Sequence, residues 1–364
     1  MRVAIVSHLY ADHQHRGKLR ALAGLGAGLA VSTPGGVAGL DGSVRIIPVP
    51  ATGSAADPGS LRWNGRAIRR ALSDFHPNLL HIEEEPGTQG AATAAAAARK
   101  LGIPYTVFSW ESLPRRLGFF GSRRYAATVK HAAALIGGNQ IAATLLRNSA
   151  PGVRATALPQ AGTLVPSEDP LAAPPPAGRP ALRLGFVGRL VPERGGEMLL
   201  RACAQLFGAW TLSVVGTGPE QQPLEELAER LGLASRIRWL GGIPRADLDL
   251  LWGQIDCLVV PSIDTPSWVE RWSPVLLDAM ARGIAPVVTP AGALPELIGD
   301  AGVVAKDTEG LAEALQILLA EPERVRALGQ KARQRVLNEF VDAAVAKRTL
   351  DFWKQVLTPA TGRQ

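Results

Sequence analysis

The stretch CLVVPSIDTPSWVERWSPVLLDAMARG, residues 257–283, decides the fold. Cys257 to Val260 is a short apolar run bounded by a proline, which predicts a buried strand. Ser273 followed by Pro274 reads as a helix N-cap and first helical residue. Gly283 sits where a helix C-cap belongs. A strand, a loop and a helix in that order form one α/β unit. Glu270 lies in the loop before the helix and Asp278 inside its first turns, so two carboxyl groups flank a helix N-terminus. In open α/β sheets ligands bind beyond the carboxyl ends of the strands. Helix N-termini attract phosphate and carboxylates accept hydrogen bonds from sugar hydroxyls. The ligand this stretch predicts is part phosphate and part sugar.

Working outward, strands and helices alternate on both sides. Leu182 to Val187, Thr211 to Val215, Ile237 to Leu240 and Ala285 to Thr289 read as strands separated by helices. Residues 1–165 repeat the pattern, with strands at Val3 to Ser7, Leu29 to Ser32, Asn78 to Ile82 and Pro104 to Phe108. Such alternation predicts parallel sheets covered on both faces. Between the halves, residues 166–180 are too rich in proline to continue a sheet or a helix and read as a linker. The expected organisation is an N-terminal domain over 1–165, that linker, a C-terminal domain over 181–340, and a final amphipathic helix and tail over 341–364. Two such halves predict a cleft, a common place for ligands.

Composition narrows the class. The chain has 364 residues, 46% apolar and 20% charged, as expected of a globular protein of two domains. Cys203 and Cys257 lie in apolar surroundings with no pairing or metal spacing, which points to a reducing compartment. The apolar run at Met1 to Ser7 is too short for a signal peptide and reads as a strand. No run is long enough to span a bilayer. The formal charge is +7, carried mostly by arginine; basic residues are scattered and no nucleic-acid motif appears, so nucleic acid is not expected as a partner.

The second half resembles the retaining glycosyltransferases of family 4, which have the two-domain GT-B fold. The stretch from Phe186 to Gly196, FVGRLVPERGG, is similar to the family's strand-to-helix loop, in which an Arg and a Lys hold a nucleotide diphosphate; those positions here are Arg189 and Arg194. Val215 to Glu220 is similar to its glycine turn, Leu240 to Pro244 sits where the nucleotide base is held, and Glu270 and Asp278 match its pair of acids separated by seven residues. Pro290 to Gly302 follows at the usual distance. In the first half, Lys18 to Ala23, Leu80 to Pro86 and Phe108 to Ser112 look like a bacterial hexosyltransferase subgroup. The resemblance implies two Rossmann-like doubly wound domains facing a cleft, with the C-terminal helix packing back toward the N-terminal domain. It implies transfer of a hexose from a UDP- or GDP-linked donor to an acceptor hydroxyl with retention, and no cofactor or metal beyond the nucleoside diphosphate sugar as co-substrate.

The residues implied are Glu270, Arg189 and Arg194 for catalysis and Gly188, Gly216, Gly242, Ile243, Trp272, Ser273 and Asp278 for donor binding. Paired guanidinium groups stabilise a departing diphosphate without a metal. By spacing alone the two arginines could equally be solvated turn residues. For the acceptor (a glycan, a lipid-linked glycan or a small metabolite) the candidates are His13, His15, Glu83, Glu84, Trp110 and Glu111. Acids also favour helix N-termini, so Glu83 and Glu84 have a purely structural reading. Three departures stand out: the second signature acid is Asp278 rather than Glu, Pro274 removes a backbone donor, and Trp110-Glu111 replaces the family's active-site histidine. They motivate one alternative, a sugar-nucleotide-binding protein with impaired transfer; a sugar-nucleotide epimerase on the same fold is another. A dinucleotide dehydrogenase is disfavoured because no Gly-x-Gly-x-x-Gly follows the first strand. Arg62, Arg66, Arg69 and Arg70 share one helix, and Arg115, Arg116, Arg123 and Arg124 flank Phe119-Phe120. A solvated face is one reading and a peripheral contact with anionic lipid another. The expected location is the cytoplasm, including the inner face of its membrane.

Overall fold

A computed structural model describes residues 1–54, 56–114, 117–166, 182–244 and 247–358. The linker expected at 166–180 therefore lies outside the described residues from 167 onward, as do Arg115 and Arg116.

The described chain forms two compact units, Met1–Gly162 with Asp342–Gln364, and Thr163–Val341. The first contains strands β1 (Arg2–Val6), β2 (Gly28–Pro34), β3 (Gly39–Asp41), β4 (Val44–Val49), β5 (Ala51–Thr52), β6 (Arg62–Trp63), β7 (Leu79–Ile82), β8 (Tyr105–Ser109), β9 (Ala134–Gly137) and β10 (Ala155–Ala157). Its helices are α1 (Gly17–Gly24), α2 (Gly65–Phe75), α3 (Gln89–Leu101), α4 (Phe119–Lys130) and α5 (Gln140–Ser149). One sheet runs in the order β10-β9-β8-β7-β1-β2-β4-β3, parallel except for β3, and β5 pairs with β6 in a small ribbon. Val3, Ala4, Ile5 and Val6 are all buried because helices cover both faces of the sheet. Strand order reverses at β1, whose neighbours are β2 and β7. Crossovers leave in opposite directions there and open a crevice beyond the strand ends.

The second unit contains β11 (Leu182–Val187), α6 (Gly196–Cys203), β12 (Trp210–Val215), α7 (Gln221–Arg230), β13 (Ile237–Trp239), α8 (Leu248–Trp252) and β14 (Cys257–Val260). It continues through α9 (Pro274–Ala281), β15 (Ala285–Val288), α10 (Leu294–Ile298), β16 (Val303–Val304), α11 (Thr308–Ala320) and α12 (Pro322–Glu339). The sheet order is β13-β12-β11-β14-β15-β16, so the switch point falls between β11 and β14. Apolar side chains fill both faces of this sheet, Leu184, Leu212 and Val287 on one and Leu258, Val260 and Val288 on the other.

The last helix, α13 (Asp342–Leu357), packs on α1 of the first unit. Its Trp353 is fully buried, with its ring centroid 5.2 Å from that of His81. Both units are doubly wound as the sequence predicts, and the C-terminal helix returns to the N-terminal unit. Arg62, expected on one helix with Arg66, Arg69 and Arg70, lies in β6 instead: α2 starts at Gly65, because Arg62 and Trp63 pair into the ribbon and Asn64 caps the helix through Arg66 N and Ala67 N. Phe119 and Phe120 open helix α4. No described helix is long and apolar enough to cross a membrane.

Candidate active site

In the second unit the loops after β11, β12, β14 and β15 are bonded to one another. Gly188 N donates to Val215 O, Leu190 N to Thr217 O, Ile263 N to Glu193 O and Ala293 N to Glu270 O, at 2.9, 3.0, 2.8 and 2.8 Å. These bonds fix the backbone at the switch point before any ligand arrives. Gly195 has φ +69°, and a Cβ there would sit 1.8 Å from the Pro261 carbonyl oxygen. The β11 and β14 loops can approach this closely because residue 195 has no side chain. Gly195→Ala is therefore expected to push the loops apart and lower the thermal midpoint by a few degrees. Calorimetry on the folded variant checks this.

The pocket beneath these loops has a volume of about 80 Å³ and is lined by Gly188, Arg194, Ser262, Glu270, Trp272 and Ser273, among others. Glu270 is buried, forms an ion pair with Arg194, and accepts a hydrogen bond from Ser262 Oγ at 3.3 Å. Burial raises its carboxyl above the usual range, against the lowering pull of Arg194 and Ser262. The Arg194 guanidinium also lies 5.1 Å from the centroid of Trp268, a cation–π contact that holds it over the pocket. Ser273 caps α9 by accepting from Leu276 N, with Pro274 as first residue. Proline costs this helix nothing at that position, since an N–H there has no partner within the helix. Asp264 accepts from Gly292 N at 2.9 Å, joining the β14 and β15 loops.

Of the residues expected from sequence, Gly188, Arg194, Glu270, Trp272 and Ser273 line this pocket. Arg189 is exposed one residue beyond Gly188, with no side-chain partner among the described residues. Gly216 sits at φ +139° against the Gly188 carbonyl, Gly242 is exposed, and Ile243 packs on the core. Asp278 is buried in α9 and accepts from Thr163 Oγ1 at 3.2 Å. Ser262, Trp268, Asp264 and Thr163 were not legible as site residues. Their partners are 8 to 115 residues distant in sequence, and no local pattern encodes them.

In the first unit the acids after β7 separate into three environments. Glu83 is buried, and its Oε1 accepts from Lys18 Nζ at 2.7 Å and Tyr10 OH at 3.2 Å, with His81 Nε2 3.1 Å away. Burial alone would raise the Glu83 carboxyl, but Lys18 and His81 outweigh it and hold it far below the usual range. Glu84 is also buried and accepts from His8 N and faces His8 Nδ1 at 2.7 and 2.9 Å. Burial works against protonated His8, yet Glu84 and its neighbouring acids raise its pKa. The acceptor surface expected of Glu83 and Glu84 is thus replaced by interior pairing. Side chains that close a buried charge pair are not free to meet a solute.

Glu85 and Glu111 take the open position. Both line a cavity of about 370 Å³ together with Arg62, Gln89, Arg124 and Tyr125. Ser109 Oγ and Trp110 N donate to the two Glu85 oxygens at 2.6 and 2.7 Å, which orients that carboxylate. Trp110 is itself pinned by its Nε1 donating to Gln160 Oε1 at 2.7 Å. His13 and His15 lie apart on an exposed turn beside Asp12. Among the described residues no cluster of His, Cys, Asp and Glu could hold a metal ion. The cysteines are buried, and burial pushes the Cys203 thiol up to about 12.

Residues 178–335 match the profile described as Glycosyl transferases group 1. Among curated relatives, a GDP-mannose-dependent alpha-(1-6)-phosphatidylinositol monomannoside mannosyltransferase of Mycolicibacterium smegmatis is 31% identical over 163 residues, 42% of this chain and 43% of that protein. A glycogen synthase of Mycobacterium tuberculosis is 31% identical over 187 residues, 50% of this chain and 44% of that protein. The chain thus spans less than half the length of either relative. Among solved structures, a sucrose-phosphate synthase from Thermosynechococcus elongatus matches at TM-score 0.67 and 20% identity, over 98% of this chain and 99% of that one. A glycosyltransferase from Rickettsia africae matches at TM-score 0.71 and 15% identity, over 99% of both chains. At these identities the likeness defines the fold, which is GT-B.

Proposed function

We propose that this protein is a retaining hexosyltransferase that moves a sugar from a nucleoside diphosphate donor, UDP- or GDP-linked, to an acceptor hydroxyl. The observation that carries the reading is the pairing of Arg194 with buried Glu270 at the switch point beside the N-capped helix α9. Arg189 and Arg194 supply cationic donors where a diphosphate leaving group develops charge. Glu270, paired with Arg194, is assigned as the acid facing the sugar. Asp278, one methylene shorter than glutamate, is assigned to the ribose hydroxyls. The family match over 178–335 supports this assignment of the second unit. In the first unit, Glu85, Glu111 and Trp110 are assigned to the acceptor, and a peripheral contact with anionic lipid is assigned to the exposed Phe119 and Phe120. No metal step is invoked.

Calorimetric titration with UDP and GDP tests donor binding, and nuclear magnetic resonance of the product's anomeric centre tests retention. One nucleotide is expected to bind, and Arg189→Ala is expected to weaken it about tenfold or more, since charge-assisted bonds to phosphate are the strong ones. An inverted product overturns the retaining assignment, and absence of binding to either nucleotide overturns the donor assignment.

A further inference from the structure

Four cations of the N-terminal unit line one groove that has no acid among its described lining residues. A groove of about 750 Å³ runs along α3, lined by Arg66 and Arg69 of α2, Thr93, Ala96 and Lys100 of α3, and Arg124 of α4. Among the described residues, the side chains of Arg66, Arg69, Lys100 and Arg124 make no hydrogen bond or ion pair, whereas the neighbouring Arg70 has Asp74 at 3.8 Å. Arg124 Nε is buried and unbonded. A buried donor left unmade is unfavourable, and four like charges in one groove repel one another. Both costs disappear when an anion occupies the groove. Alanines along α3 keep its floor low. Gln89 and Arg124 line this groove and also the cavity that holds Glu85 and Glu111. A ligand can therefore place hydroxyls against the carboxylates and an anionic group against the guanidinium groups.

We propose that the groove binds the phosphate group of a phosphorylated acceptor whose saccharide part occupies the Glu85–Glu111 cavity. The proposal rests on the transferase reading and deepens it by naming the acceptor class. A phosphate accepts several bonds at once from guanidinium forks, which an isolated hydroxyl cannot. The phosphate belongs either to a soluble sugar phosphate or to the headgroup of a lipid-linked sugar. Phe119 and Phe120, 69% and 76% exposed at the start of α4, are placed to meet a bilayer in the second case.

The test uses the full chain and two probes. Glucose 6-phosphate and mannose 6-phosphate are titrated beside the unphosphorylated sugars, and phosphatidylglycerol-containing vesicles are floated beside phosphatidylcholine alone. UDP and GDP are titrated into every variant. Binding to one of the probes is expected to require the phosphate and to weaken about tenfold in Arg124→Gln. The double variant Arg66→Gln/Arg69→Gln is expected to show the same loss, and Arg124→Lys to recover part of it. Binding of the sugar phosphates identifies a soluble acceptor, and binding of the anionic vesicles identifies a lipid one. If neither probe binds, or binding ignores both sets of substitutions, the proposal is overturned. Retained nucleotide binding in that case leaves the transferase reading standing, and its loss in the unaltered chain counts against that reading instead.

Discussion

Glu270→Ala is expected to lower kcat about a hundredfold to a thousandfold, with nucleotide affinity changed far less. The scale is that of removing one preorganised polar group from the place where transition-state charge develops. Three features make Glu270 the choice. It is buried, its orientation is set by Ser262, and its partner Arg194 is the cation assigned to the leaving diphosphate. Deleting the carboxylate also frees Arg194 to reorient, so positioning is lost together with charge. The effect on stability is expected to be small, because the Arg194 side chain is 29% exposed and water can replace its partner. Glu270→Gln keeps the bond to Ser262 and loses the charge, and it is expected to fall between the parent and the alanine variant. Steady-state kinetics with a thermal melt of each variant separates the two losses. A kcat within about threefold of the parent would contradict the role assigned to this pair.

Lys18→Met is expected to destabilise the N-terminal unit by about 3–5 kcal/mol, a large share of the stability of an ordinary domain. The cost arises less from the lost attraction than from what remains, a carboxylate at Glu83 buried between β7 and α1 without its cation. Tyr10 and His81 still face it, and neither supplies a full positive charge. Burial holds His81 below the usual histidine value. The double variant Lys18→Met/Glu83→Gln removes both charges and is expected to regain much of the loss. Urea unfolding of the three chains measures this, and a double variant no more stable than Lys18→Met would contradict the pairing.

The same network sets a pH dependence. The folded pKa of Glu83 is lowered, so the folded state binds fewer protons in acid than the unfolded chain. Its stabilisation is complete above the ordinary glutamate value of about 4.3 and is lost as pH falls below it. His81, also lowered, adds the same sign from about pH 6.5 downward, while His8, raised, contributes most below that value and opposes it. Glu83 and His81 act in the same direction against His8, so the unit is expected to be less stable at pH 4 than at pH 7.

Local chemistry made much of this molecule legible. Ser273, Pro274 and Gly283 bracket α9 because caps and helix ends are decided by neighbouring residues. Cys257 to Val260 is a strand because an apolar run of that length fits a sheet covered on both faces. Pairings across long stretches were not legible. Lys18 and Glu83 are 65 residues apart, and their contact depends on β1, β7 and α1 meeting. Glu83 and Glu84 read as one acceptor surface, yet the side chains of Glu83, Glu84 and Glu85 each point into a different environment as β7 ends. Glu85 emerges as the cavity acid because Ser109 and Trp110 of the neighbouring strand turn it there. The arginines of α2 were visible as a stripe, but the groove beside them depends on the small side chains of α3.

The most direct measurement is release of nucleotide when the chain is mixed with UDP- and GDP-hexoses, with and without the sugar-phosphate acceptors. The account predicts release of one nucleotide, accelerated by acceptor and reduced at least a hundredfold in Glu270→Ala. Absence of release with any donor and acceptor, together with absence of nucleotide binding, would contradict it.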